Sequence, residues 1–289
     1  FTNNWGWLES SKYLKDIEIY TGDVRDYDSV YDAIKDVDVV FHLAALIGIP
    51  YSYVSPLAYI KTNTEGTYNI LEAGRKLGVD RIIVTSTSEI YGTAQYVPID
   101  EKHPYNPQSP YAASKASADH LALSYYRSFG TPVTIIRPFN TYGPRQSARA
   151  IIPTIVTQIL SGKTQIRLGN LTPTRDLNYV KDTANGFITV GLHEKTIGDV
   201  YNIGSGREIS IGELAQRIIE LLGKPVEIVQ DEQRFRPDKS EVERLLCNAD
   251  KAKSLTGWKP QYTLEDGLKE TIEWMENNMQ YYKPDIYNV

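Results

Sequence analysis

The sequence predicts an α/β protein, a doubly wound parallel sheet carrying a smaller C-terminal α/β domain, and two observations lead there. Over roughly the first 200 residues, short apolar runs alternate with longer helical patterns. Two of those runs, Val39-Val40-Phe41 and Ile82-Ile83-Val84, lack polar alternation, as strands covered on both faces do.

The elements follow in order. A strand is expected over Ile17–Val24, a helix over Ser29–Lys35 and a strand over Val37–Ala45. A long helix over Pro56–Leu77 precedes a strand over Arg81–Ser88. Pro110 suits the first turn of a helix running to Phe129, and Val133–Asn140 is the next strand. Crossovers in such sheets are right-handed, and ligands collect beyond the carboxyl ends of the strands. After about Arg145 the pattern loosens into helices over Ile151–Leu160, Asp182–Leu192, Ile211–Leu222 and Leu264–Met279. A short helix around Asn248–Ala252 is stopped by Gly257-Trp258-Lys259-Pro260, and Val200–Gly204 reads as a strand returning to the main sheet. Residues 1–145 are therefore expected to form a dinucleotide-binding domain, with a returning segment near 175–205, and residues 146–289 a substrate-binding domain.

The start of the chain lacks the opening of such a sheet. A dinucleotide site needs a first strand, a glycine-rich turn and a helix whose N-terminus holds the pyrophosphate. No G-x-G-x-x-G follows an expected strand, and Gly204-Ser205-Gly206 comes too late and lacks the third glycine. Phe1-Thr2-Asn3-Asn4-Trp5-Gly6-Trp7-Leu8 reads as a loop after a strand that precedes it. The first βαβ unit, roughly 30 residues, is expected to be missing, and a polypeptide starting at Phe1 to bind a dinucleotide weakly.

Bulk properties narrow the function by exclusion. The 289 residues carry 41% hydrophobic and 23% charged side chains, an ordinary globular balance. No apolar run nears the ~20 residues of a membrane span, so no membrane partner is expected. The net charge of −5 without a basic block argues against nucleic acid. Cys247 stands alone, which points to a reducing cytoplasm, and the four histidines show no metal-ligand spacing.

Tyr111-Ala112-Ala113-Ser114-Lys115 places a phenol and an ammonium on one helix face. A free phenol, with a pKa near ~10, is a poor base at neutral pH. A lysine beside it, with a cationic nicotinamide ring, favours the phenolate, which can take the proton of an alcohol as its hydride departs. The spacing alone is weak, because Tyr31-Asp32-Ala33-Ile34-Lys35 repeats it in an early amphipathic helix, where a structural role is expected. Position separates the two. Tyr111 follows a strand ending Thr85-Ser86-Thr87-Ser88-Glu89, and hydroxyls beside a carboxylate suit a site beyond a strand end better than a core. Ser86 or Ser88 alone fits a cap or turn; Thr87 and Glu89 together point to chemistry.

Further short motifs follow one another: Gly22-Asp23-Val24, His42-Leu43-Ala44-Ala45, and Asn63-Thr64-Glu65-Gly66-Thr67 with Asn69. Next come Thr87-Ser88-Glu89 with Tyr91-Gly92, Ser109-Pro110-Tyr111 with Lys115, and Arg137-Pro138-Phe139-Asn140 with Tyr142-Gly143-Pro144-Arg145. Arg175-Asp176 with Tyr179-Val180 and Asp182, then Asn202-Ile203-Gly204, complete the set. In this order they resemble the extended short-chain dehydrogenase/reductases, the NAD-dependent epimerase/dehydratase family acting on nucleotide sugars. The resemblance implies a Rossmann-like sheet and NAD as cofactor; NADP is not distinguished, because the deciding residue would precede Phe1. By the same resemblance, Asp23 and Val24 contact the adenine, while Leu43, Ala44 and Ala45 line the cofactor groove with Asn63, Thr85 and Pro138. Tyr111 and Lys115 would hold the nicotinamide ribose. Asn140, Arg175 and Arg236 match positions that grip a diphosphate, where guanidinium groups bond strongly, and Arg149 joins them on the substrate side.

Glu89 narrows the choice. Simple 4-epimerases usually carry a small residue there, whereas Thr87-Ser88-Glu89 resembles 4,6-dehydratases and UDP-glucuronate decarboxylases. Thr87, Ser88, Glu89, Tyr111 and Lys115 are thus the expected catalytic set. In a dehydratase, Tyr111 serves the oxidation of C4, Thr87 orients the C4 oxygen and Glu89 removes the acidified C5 hydrogen. The C6 hydroxyl then leaves as water and hydride returns to C6. dTDP-glucose dehydratases place an aspartate where Ser88 stands, which points to GDP-mannose-type or UDP-N-acetylglucosamine-type enzymes instead. Trp5-Gly6-Trp7-Leu8, Ser147-Ala148-Arg149-Ala150 and the stretch from Arg236 to Leu245 resemble the N-acetylglucosamine 4,6-dehydratases of nonulosonate synthesis. UDP- or GDP-N-acetylglucosamine is the expected substrate. UDP-glucuronate decarboxylation, 4-epimerisation and a non-catalytic cofactor-binding regulator are the alternatives, the last opposed by the intact catalytic set. In this family the helices matching Pro56–Leu77 and Pro110–Phe129 pair with their copies as a four-helix bundle, so a homodimer is expected.

Overall fold

The computed structural model describes residues 5–283; the first four residues of the expected opening loop lie outside the described residues. Four parallel strands form the main sheet in the order β1 (Val39–His42), β2 (Arg81–Thr85), β3 (Val133–Pro138) and β7 (Val200–Ile203). Val40, Ile82, Val84, Val133 and Ile135 turn to one face, against α1 (Tyr27–Ile34), α4 (Gly66–Leu77) and α5 (Pro110–Phe129). Ile83, Ile136, Tyr201 and Ile203 turn to the other, against Phe187 and Val190 of α7 (Val180–Gly191) and Trp258. Burial on both faces is why these runs carry no polar alternation.

The helix that carries Tyr111 forms as its sequence predicts. Ser109 Oγ accepts from the Ala112 amide at 3.1 Å, Pro110 occupies the first turn, and α5 runs unbroken to Phe129. The expected helix over Pro56–Leu77 is instead divided into α3 (Pro56–Tyr59), a π-helical turn (Ile60–Glu65) and α4. In that turn the Asn63 amide bonds Leu46 and Ser114, and these side-chain bonds hold the widened turn open. A further helix, α2 (Ile49–Val54), follows β1.

Two expected strands differ. Ile17–Val24 forms none, because no described strand runs beside it to take its amides and carbonyls. It is held by α4 instead: Asn69 donates to the Val24 carbonyl at 2.9 Å, and a Cβ on Gly66 would lie 2.8 Å from Val24 Cγ2. The run Val133–Asn140 divides at Phe139, whose amide still bonds Ile203, and the chain leaves the main sheet as β4 (Asn140–Tyr142).

A second sheet joins β4, β6 (Thr174–Tyr179) and β8 (Glu208–Ser210), while β5 (Gln165–Leu168) pairs with β9 (Glu227–Gln230). Helices α6 (Ile151–Leu160), α8 (Ile211–Leu222) and α10 (Leu264–Glu276) bury Ile155, Leu214, Ile218 and Leu268 in a second core. Val200–Ile203 does return to the main sheet, in register beside β3, with α9 (Asp250–Thr256) packed on it. The glycine pair beyond β7 serves an internal anion. The amides of Ser205 and Gly206 donate to the buried Asp176 carboxylate at 2.7 and 2.8 Å. Among the described residues, no helix is long and apolar enough to cross a membrane and no group of side chains could hold a metal ion.

Candidate active site

The fold brings Thr87, Ser88, Glu89, Tyr111 and Lys115 together beyond the carboxyl end of β2. Strand β2 stops at Thr85, three residues earlier than expected, because α5 captures its end. Lys115 Nζ donates to the Thr85 carbonyl at 2.6 Å, and Ser86 Oγ donates to Asp119 at 2.8 Å. Thr87 Oγ1 then accepts from the Glu89 amide at 3.2 Å and caps a short 3-10 turn over Ser88–Tyr91. Gly92, at φ 62°, closes that turn; a Cβ there would collide with the Asn106 carbonyl oxygen.

This turn brings Thr87, Ser88 and Glu89 against the first turns of α5, all of them buried. The Thr87 hydroxyl faces the Tyr111 phenol. Burial holds that phenol well above its ordinary value; the Thr87 hydroxyl pulls it down and the Glu89 charge pushes it up. The sequence argument expected Lys115 to lower it. In the chain by itself burial wins, and the Lys115 ammonium is given to Thr85 rather than to the phenol. Burial also brings Lys115 down to about 8, opposed by the Asp119 charge. Tyr31, the other match to the spacing, lies in α1 and packs beside Tyr27, a structural place as expected.

Glu89 also faces Arg175, which is 7% exposed. Arg175 and Arg236 both reach Glu241 Oε1, at 3.2 and 3.5 Å, so one carboxylate lies between two guanidiniums. The segment bearing Arg236 and Glu241 is pinned over α5's start: Ser240 Oγ donates to the Gln108 carbonyl at 2.6 Å. Asn140 heads β4 with a buried Oδ1 that has no hydrogen-bond partner. Arg149 is exposed and lies over the loop after β1, where a Cβ on Gly48 would be 3.3 Å from its guanidinium.

Leu43 and Ala44 are exposed beyond β1, and Ala45 is half-buried. Asn63 lies beneath this loop. It is fully buried, with Leu46 N donating to Oδ1 at 2.8 Å and Nδ2 donating to Leu46 O and Ser114 Oγ. Thr85 Oγ1 is buried without a partner, and Pro138 ends β3 half-buried. Asp23 is exposed, Val24 half-buried, and Arg25 bonds Asp23 and holds its carboxyl down near about 2.

Beneath the site lies a charged network to which sequence reasoning assigned no role. Arg137, 1% exposed, donates through Nε to Asp119 Oδ2 at 3.0 Å and through a second nitrogen to Tyr91 Oη at 2.7 Å. It also bonds Tyr105, and Tyr91 donates to Asn202 at 2.7 Å. One signal could have revealed Asp119: it continues the Tyr111, Lys115 spacing by four residues along the same helix face.

The GDP-mannose 4,6 dehydratase family model matches residues 2–271. This chain belongs to that family. It is 36% identical over 266 residues to a putative UDP-glucose 4-epimerase of Methanocaldococcus jannaschii, covering 90% of this chain and 85% of that protein. It is 34% identical to the dTDP-glucose 4,6-dehydratase of Escherichia coli, covering 96% of this chain and 84% of the relative. Among solved structures, DesIV of Streptomyces venezuelae, a dTDP-glucose 4,6-dehydratase with NAD bound, superposes with a TM-score of 0.83 at 32% identity. The match covers 91% of this chain and 80% of DesIV. Pal of Bacillus thuringiensis gives 0.82 at 35% identity, over 89% and 82% of the two chains. The fold is thus that of the nucleotide-sugar dehydratases and epimerases, and the chain is an enzyme of that kind.

Proposed function

We propose that this chain is a nucleotide-sugar 4,6-dehydratase acting on UDP- or GDP-N-acetylglucosamine with NAD. The observation that carries the reading is Glu89, a buried residue facing both Tyr111 and Arg175, whose carboxylate makes no hydrogen bond among the described residues. A 4-epimerase needs no such group, because it only takes hydride from C4 and returns it there.

The residues present fit a nicotinamide dinucleotide: apolar Leu43 and Ala44 are exposed at the β1 end, and Thr85 Oγ1 is buried and unpartnered at the β2 end. When bound, the dinucleotide supplies a hydride acceptor that later serves as donor. Tyr111 takes the C4 hydroxyl proton, and Thr87, facing that phenol, orients the C4 oxygen. The resulting ketone acidifies C5–H, and Glu89 removes that proton. Glu89 can then hand the proton to the departing C6 hydroxyl, so that water leaves without the second acid that Ser88 does not provide. A solvent proton returns to C5, balancing the one taken by Tyr111. Asn140, Arg149, Arg175 and Arg236 would hold the sugar nucleotide, with Arg175 and Arg236 already converged on an anion, Glu241.

The exposed stripe of Leu57, Ile60 and Tyr68 on α3–α4, beside the small exposed residues Ala113 and Ser117 on α5, supports a homodimer through a four-helix bundle. A cytoplasmic setting fits one buried thiol and nucleotide-sugar chemistry.

Incubation with UDP- and GDP-N-acetylglucosamine tests the reading. Loss of one water from the sugar, abolished in Glu89→Gln, is expected. An epimerised product of unchanged mass would favour the 4-epimerase reading suggested by the Methanocaldococcus relative, and loss of CO2 from UDP-glucuronate would favour decarboxylation.

A further inference from the structure

We propose that Asp119 is the positioning residue for Lys115: one buried carboxylate serves as counter-ion to two buried cations, Arg137 through direct bonds and Lys115 through space. The proposal rests on the reading of Tyr111 and Lys115 as the proton-transfer pair. Three observations carry it. Asp119 is 0% exposed, Arg137 1% and Lys115 2%, so each charge depends on partners within the protein. Asp119 commits only Oδ2, to Arg137 Nε and Ser86 Oγ, while Oδ1 is buried and makes no hydrogen bond. Tyr111, Lys115 and Asp119 succeed one another every fourth residue on α5, so Asp119 lies one turn along the same helix face from Lys115.

The geometry makes a two-point clamp on the end of β2. Lys115 takes the carbonyl of Thr85, Asp119 takes the hydroxyl of Ser86, and the chain between them cannot slide along α5 without breaking both bonds. Thr87, the next residue, is then presented to Tyr111. Other ionisable groups near the pair do not replace Asp119. His42 of β1, buried and near Lys115, is pushed down to about 3 and stays neutral. From the other elements, Tyr59 of α3, Tyr91 and Glu89 of the turn after β2, Tyr105 and Arg137 surround α5's site face. Glu89 faces Arg175, and Tyr91 and Tyr105 bond Arg137. Asp119 is the one charged side chain that raises Lys115 against burial.

The test reads Lys115 directly, without substrate. The protein is labelled with lysine carrying 13C at the ε carbon, the Lys115 signal is assigned by its loss in Lys115→Arg, and its shift is followed with pH. The wild-type midpoint is expected near 8. In Asp119→Asn it should fall by about one unit or more, a tenfold change in proton affinity. Should Asp119→Asn fail to fold because Arg137 is left alone, Asp119→Asn combined with Arg137→Met leaves no cation stripped of its direct partner, and a smaller fall in the same direction is expected there, because a like charge is removed with the counter-charge. A folded variant whose Lys115 titrates as in wild type overturns the proposal. If Tyr111→Phe turned over normally while Lys115 still shifted, the proton-transfer reading would fail and the Asp119 assignment would stand.

Discussion

The Thr87 hydroxyl faces the Tyr111 phenol across the gap between the end of β2 and the first turn of α5, and its presence pulls that phenol down against burial. That juxtaposition brings together two segments that sequence motifs had linked only by order along the chain. On the proposed reading, an alcohol substrate places its oxygen within reach of both hydroxyls, with the Glu89 charge also acting on the phenol.

Tyr111→Phe removes the phenol while keeping the ring that packs edge-on to Tyr59 at 6.2 Å. Turnover should fall by roughly 10²–10⁴-fold, the usual worth of a positioned acid/base group, with little loss of stability. Steady-state rates and urea unfolding measure both, and a rate within a few-fold of wild type would remove Tyr111 from the reaction.

Glu89→Gln separates oxidation from elimination. With the C5 base gone, the variant should still take hydride from C4, so reduced nicotinamide absorbance should build up on mixing with substrate while no water is lost. An unreduced cofactor and no product would mean that Glu89 acts before, not after, the ketone forms.

Lys115 makes the site costly to stability. Its folded value near 8 lies below the ordinary 10.5, so the unfolded chain holds the proton more tightly. Below about pH 8 both states are protonated and the whole cost, about 3 kcal/mol, is borne; it fades as pH rises from 8 towards 10.5, where neither state needs the charge. Lys115→Met should therefore unfold at higher urea than wild type at pH 7, by up to about 3 kcal/mol, with the gain shrinking towards pH 10. It should also be inactive. A variant that is less stable at pH 7 would show that the ammonium's bonds outweigh its burial.

Arg137→Met leaves Asp119 buried without its direct partner. The expected loss is about 3–5 kcal/mol, far above what an exposed ion pair such as Lys269–Glu265 would cost. Chemical denaturation of the two single variants, Arg137→Met and Lys269→Met, compares them under one condition.

Leu57→Glu places a carboxylate in the exposed apolar stripe of α3–α4. If that stripe meets a second copy, the variant should elute and scatter light as a monomer while wild type does so as a dimer. Wild-type monomers at micromolar concentration would defeat the bundle.

Much of the site was legible because strand ends announce themselves. Buried strands need uniform apolar runs, so the hydroxyls and carboxylate after Val84 marked the end of the strand, and the capping signals Ser109 and Pro110 set the register of α5. The sequence by itself therefore determined the parallel sheet, the helix bearing Tyr111 and Lys115, and their meeting with Thr87 and Glu89. Periodicity could not say which of the ionisable groups would be stripped of water. Only the tertiary structure decided that Asn63 lies under the loop after β1, that Ile17–Val24 leans on α4 without a strand partner, and that Asp119 must answer two buried cations. Those outcomes depend on contacts between residues far apart in the chain, where hydrogen bonds and countercharges become strong because water has been excluded.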